Sequence, residues 1–235
     1  MILKLRRLKT VLGNNLSRGQ SLVELSLIVP LVLIMLVGMI EVGFLIFNYL
    51  NAMDLTREAA RFASTRNFQN ATPGTIGSSD CTDSVLDYYK DTACFFVDPS
   101  LNPNLPLDAS RYDDATISVF TVVSGTVATV SDRWPKTPID PDNDGVWSLY
   151  SNNWKKDCQG NDIHTQPIFT NADVESLFLS SAPKAKGIVL VEVHICYDQM
   201  IYIPFISDFI GSPFRIHTYS FMPAPEAIPT PTPIP

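Results

Sequence analysis

The sequence predicts an α+β fold: a long N-terminal membrane-spanning helix that continues into an exported domain with a small antiparallel sheet and disulfides. Three observations predict it. An apolar run, Leu25 to Phe47, holds a single charge (Glu41) and is followed by an amphipathic stretch, Asn51 to Arg66, free of Gly and Pro. A strict alternation runs from Gly187 to Tyr197. All four cysteines, Cys81, Cys94, Cys158 and Cys196, fall after the apolar run.

The apolar run is 23 residues long, or roughly 35 Å as helix, enough to cross a ~30 Å hydrocarbon core with modest tilt. A cleaved secretory signal has a shorter apolar core, about 7–15 residues, ending at a small-x-small site. Neither Tyr49-Leu50-Asn51 nor Arg61-Phe62-Ala63 provides that site. Pro30 removes the hydrogen bond to the Ser26 carbonyl, so a bend is expected near residues 26–30. Gly38 and Gly43 permit close approach of another helix. Glu41 is an intramembrane polar residue that faces either protein or the outer headgroups. Beyond the run, Leu55, Ala59, Phe62 and Ala63 recur at helical spacing, so one helix is expected from about Ser21 to Arg66.

Charge separates the ends of the chain. The first 19 residues carry five basic side chains and no acid, leaving 12 basic and 24 acidic residues in the remainder of the 235-residue chain. Basic residues before an apolar run place the N-terminus in the cytoplasm and export the body. A nucleic-acid partner for that acidic body is excluded, because phosphate contacts need clustered Lys and Arg. The segments are a basic leader (1–19), the transmembrane and amphipathic helix (20–66), an exported α+β domain (67–222) and a Pro-rich disordered tail (223–235).

Within the domain, Cys81 to Lys90 reads as a short helix with Val85, Tyr88 and Tyr89 inward, and Asp98 to Asp108, with three prolines, as loop. Thr116 to Val130 is β-branched-rich around Ser124-Gly125 and predicts a strand or tight hairpin. Trp134 to Gln166 has no period and reads as a long loop, and Asn171 to Ser180 as a short helix with Asn171 at its N-cap. On the strand from Gly187 to Tyr197, Val189, Val191, Val193, Ile195 and Tyr197 share an apolar face, with Glu192, His194 and Cys196 opposite. Met200 to Phe209 is apolar but broken by Pro204, and Phe214 to Phe221 reads as a final strand. Four cysteines allow three connectivities. Locality and strand geometry favour Cys81–Cys94 with Cys158–Cys196.

Catalytic signatures are missing: there is no Walker loop, Gly-x-Ser-x-Gly, His-Glu-x-x-His or Rossmann fingerprint. The histidines His164, His194 and His217 are scattered, and a lone strand histidine such as His194 reads as a partly exposed structural residue. No enzyme is expected. No cofactor is expected either, with one exception to weigh: Asp140, Asp142 and Asp144 alternate before Gly145 as calcium ligands do. The twelfth position of such a loop would be Ser151, which lacks the bidentate acid, so a solvated acidic turn competes with a structural calcium site.

Arg18-Gly19-Gln20-Ser21-Leu22-Val23-Glu24, then Pro30, then Gly38-Met39-Ile40-Glu41-Val42-Gly43, then Ala59-Ala60-Arg61-Phe62-Ala63 resemble the N-terminal segment of TadE-like pseudopilins, minor subunits of the tight-adherence type IV pilus and secretion system. The likeness covers residues 18–66 and departs at Leu25, where the family commonly has an aromatic residue. It implies that a prepilin peptidase cuts between Gly19 and Gln20, and that the subunit resides in the plasma (inner) membrane with its C-terminal domain periplasmic or extracellular. The implied partners are the lipid bilayer, that peptidase and other pilin or pseudopilin subunits. Glu24 is then an assembly contact, pairing with the new α-amine of a neighbouring Gln20; otherwise it is an acid at a helix N-terminus favoured by the dipole. A second reading is an uncleaved membrane-anchored extracellular binding module, braced by calcium.

Overall fold

A computed structural model describes residues 2–68, 81, 88–102, 105–123, 129–137, 139–177, 187–200 and 213–224, with side chains from Leu22 onward. It divides into two compact units, Met1–Ile46 with Gln199–Ile210, and Phe47–Asp198 with Gly211–Pro235. The first helix, α1, runs Ile2–Ser64. It is therefore longer than expected at its N-terminus, because the leader, rich in Leu, Lys and Arg, continues the helix. It also passes through Pro30 without interruption, since proline removes a single backbone donor and leaves the flanking ladder intact.

The second unit is an antiparallel sheet covered on both faces. Its strands are β1 (Asp114–Val123), β2 (Thr129–Trp134), β3 (Trp147–Ser148), β4 (Gly187–Tyr197) and β5 (Phe214–Ala224). They lie in the order β2-β1-β4-β5, with β3 also pairing β1. β1 and β2 form the expected hairpin around 124–128, which lie outside the described residues. An extra residue, Ser131, bulges between the pairs Thr121–Asp132 and Val122–Val130.

β1 and β4 are buried on both faces for almost their whole length. The face with Val189, Val191 and Val193 receives the second half of α1, whose Ala52, Ala59, Ala60 and Ala63 are fully buried. Within that contact, Thr56 Oγ1 lies 3.0 Å from Thr218 Oγ1 on β5. Helix α2 (Tyr88–Val97) lies on the same side: Tyr89 stacks on Trp147, and Phe95 meets Phe62 of α1 edge-on. The other face buries Phe120, Val122, Ile188 and Leu190 under Val174 of α3 (Asn171–Ser176).

Five expectations are corrected. The helix expected over Cys81 to Lys90 runs past Lys90 to Val97, where Pro99 disfavours helical geometry at Asp98; its described part, α2, starts at Tyr88, and residues 82–87, Val85 among them, lie outside the described residues. The long loop 134–166 contains β3, held where Trp147 and Ser148 pair with Ile117 and Thr116. Thr170, not Asn171, caps α3: its hydroxyl accepts from Asp173 N while Asp173 accepts from Thr170 N, a capping box. β5 continues to Ala224, so Pro223 belongs to the sheet rather than the tail, as the last strand of the sheet tolerates a residue without an N–H. His194 is fully buried, for reasons given below. Residues 178–180, 201–212 and 225–235, which include most of the apolar Met200–Phe209 segment and the tail, lie outside the described residues.

The disulfides are Cys81–Cys94 and Cys158–Cys196, closing loops of 13 and 38 residues. Loop entropy assigns them about 3 and about 4 kcal/mol respectively.

The alanine stripe generates a prediction. Ala59→Leu is expected to destabilise the domain by about 1–3 kcal/mol through overpacking, while Arg57→Leu on the exposed side changes little; thermal unfolding of the two variants checks this.

Candidate functional site

The first unit presents a helix with apolar side chains on all sides. Leu22 is 66% exposed and Met39 74%, and between them Leu25, Leu27, Leu31, Leu33 and Met35 are each more than half exposed. A helix that is hydrophobic all round needs lipid or protein around it. Among the described residues this is the one helix long and apolar enough to cross a membrane, the form of a single-pass membrane protein. Gly38 and Gly43 have open space where a Cβ would stand, which suits close approach by another helix. Gly19 and Gln20 lie inside α1, and Glu24 is exposed on it, one turn after Gln20. Glu41 is half-buried and accepts the backbone N–H of Met200 at 3.0 Å, so its carboxylate meets protein.

The acidic turn 140–145 is anchored to the hairpin. Asp140 accepts from Gly145 N at 2.7 Å and from Asp142 N at 3.0 Å. Asp142 and Asp144 share Lys155, whose Nζ lies 2.6 and 3.1 Å from their carboxylates. Each carboxylate of the turn thus has protein partners, and Lys155 supplies the positive charge for which the sequence suggested calcium. Gly145 adopts φ +73°, and a Cβ there would lie 2.4 Å from Arg133 Cγ. The approach lets Arg133 donate to the Gly145 carbonyl, the Phe169 carbonyl and Ser118 Oγ. Arg133 was not singled out in the sequence; a lone basic residue on an alternating strand carries no pattern.

The face of β4 that looked polar is roofed by the 147–169 region. Asp114 organises that roof, accepting from Ser148 Oγ, Tyr150 N and Trp154 N at 2.7, 3.0 and 2.9 Å. Complete burial pushes its carboxyl up to about 6, against those three donors. Asp113 accepts from Cys196 N and Asp108 N, and burial raises it too. Cys158 reaches Cys196 on this face. Here His194 is 1% exposed, and neither of its ring nitrogens has a hydrogen-bond partner. It stacks on His217, with centroids 4.5 Å apart, and His217 Nε2 lies 2.9 Å from Glu192 Oε1. Burial, and then the charges of His217, Arg215 and His164, hold His194 well below the usual histidine range, that is, neutral.

These features, among the described residues, form no nucleophile–base arrangement. Residues 19–61 match the family model of TadE-like proteins. The matched segment lies wholly within α1 and contains Gly19, Gln20, Glu24, Pro30 and Glu41. No curated protein and no solved structure matches the chain. The TadE-like likeness therefore covers the helix and stops before the sheet.

Asp114 yields a pH prediction. Its ordinary value is 3.8 and its folded value about 6, so it favours folding fully below pH ~4 and that contribution is lost as pH rises through ~6. Asp114→Asn is therefore expected to gain on wild type by about 2–3 kcal/mol between pH 4 and pH 7. Denaturant unfolding of both proteins across that window checks it; a constant gap contradicts it.

Proposed function

We propose that this chain is a single-pass, prepilin-like TadE-type minor subunit that enters a tight-adherence pilus or secretion apparatus through its N-terminal helix. The observation that carries this reading is a coincidence of position: the family match, 19–61, contains residues 22–36, whose apolar side chains are exposed on every side. The matched family is a structural one, in keeping with a subunit that assembles rather than catalyses. Its role points to other pilus subunits as partners.

The finer steps follow from chemistry. Five basic residues before the span hold the leader in the cytoplasm of the plasma (inner) membrane. A prepilin peptidase cuts there between Gly19 and Gln20, creating a positive α-amine four residues before Glu24. In a low-dielectric helix bundle, an uncompensated charge is costly, so the Glu24 carboxylate of one subunit and the Gln20 amine of its neighbour stabilise each other. Pairing of this kind selects register, because a one-turn slip leaves both charges unpaired. The exported domain, held to the second half of the same helix, then forms the surface of the assembly. Calcium is not required for the 140–145 turn, where Lys155 bridges two carboxylates; calcium titration is expected to leave the unfolding temperature unchanged.

The test is Glu24→Ala in cells that carry the assembly machinery. The variant should reach the membrane at wild-type level, and its recovery with the other pilus components should fall at least about tenfold. Recovery equal to wild type would sink the pairing role.

A further inference from the structure

We infer that Glu192, His194 and His217 bind a divalent transition-metal ion of the zinc class within the exported domain. The register brings the three together. Glu192 and His194 are two apart on β4 and share a face, and His217 stands directly opposite His194 on β5. One ligand atom from each lies within 4.8 Å of the others. Two imidazoles and a carboxylate are a donor set that zinc uses with a fourth position left for water. Calcium and magnesium are disfavoured, since they prefer oxygen throughout.

The second observation is the state of His194. Its ring is buried, yet neither nitrogen has a hydrogen-bond partner. Burying a polar group unpaired costs about 1–3 kcal/mol, and packing alone is served better by Leu or Phe at such a position. A metal ion accepts the free lone pair and removes that cost. Neutral imidazole is also the form that ligates.

The geometry says what must move. In the structure the rings are nearly parallel, 8° apart, so their planes do not meet at one bonding point. Zinc–ligand bonds of 2.0–2.2 Å place tetrahedral ligand atoms roughly 3.3 Å apart. Closing from within 4.8 Å to that range requires one ring to turn about its Cβ–Cγ bond. His217 has the room: its side chain is 25% exposed and it lies on the last strand of the sheet, whereas Glu192 and His194 are enclosed. The same exposure gives the ion a way in. Arg215, whose positive charge is felt at His194, has its guanidinium held by the Lys156 and Asn153 carbonyls.

The test uses the full chain without an affinity tag, in detergent, stripped with a chelator and then titrated with zinc or cobalt(II). Zinc is expected to raise the unfolding temperature and to saturate at one ion per chain, and cobalt(II) to give visible absorption typical of nitrogen and oxygen ligands at low coordination number. His217→Gln and Glu192→Gln, the first at a partly exposed position, are each expected to bind at least about tenfold more weakly, since even outer-shell changes at metal sites cost that much. Absence of both responses overturns the proposal and points to a buried water as the partner of the His194 ring. Responses that persist undiminished in both variants overturn it as well, because the ion then sits elsewhere.

Discussion

The contact on which the domain depends is the burial of one stripe of the second half of α1 against the sheet. Ala52, Thr56, Ala59, Ala60 and Ala63 form a stripe of small side chains with no exposed surface to speak of. Against it lie the valines of β4 and Thr218 of β5. Small residues forgo the large hydrophobic gain of a leucine, but they allow backbone and sheet to approach and many weak dispersion contacts to form. Phe62 and Arg66 then extend the contact to α2, through Phe95 and the ion pair with Asp91. The helix is thus part of the domain's core, which explains why a segment matching a family of assembly subunits can carry a domain that matches nothing else.

The opposite face of the sheet uses a different kind of chemistry. Asp113, Asp114, Glu192, His194 and Thr116 are all buried there. Asp113 and Asp114 use backbone amides to hold the roof in place, and the Cys158–Cys196 disulfide ties the roof covalently to β4. A long loop without periodic hydrophobicity can be ordered this way, because directional hydrogen bonds and a cross-link replace the apolar burial it lacks. The cost is a set of buried polar atoms that must all be satisfied, and among the described residues the set is incomplete at both ring nitrogens of His194, at Thr116 Oγ1 and at Arg215 Nε.

The regular parts of this architecture were legible from local pattern. The apolar run, the alternation of β4 and the β-branched hairpin each carry a period, and periods report burial. The two cysteine pairs followed from locality and strand direction. What escaped was whatever depends on a roof with no period of its own. Glu192, His194 and Cys196 read as the more polar face of β4, with His194 partly exposed, and it is the 147–169 region that buries His194 there. Thr170 and Asn171 are both good caps, and Asp173 decided between them by returning a bond to the Thr170 amide. In the 140–145 turn, alternating acids resembled a calcium loop; Lys155, ten or more residues away in sequence, is the cation they face.

Entry of this chain into a pilus-type assembly depends on what happens at the start of α1. Intact-mass and N-terminal analysis of the chain isolated from native membranes tests it most directly. The predicted result is a single membrane-bound species beginning at Gln20. A chain retaining Met1, or one cut beyond Phe47 and released from the membrane, would contradict it.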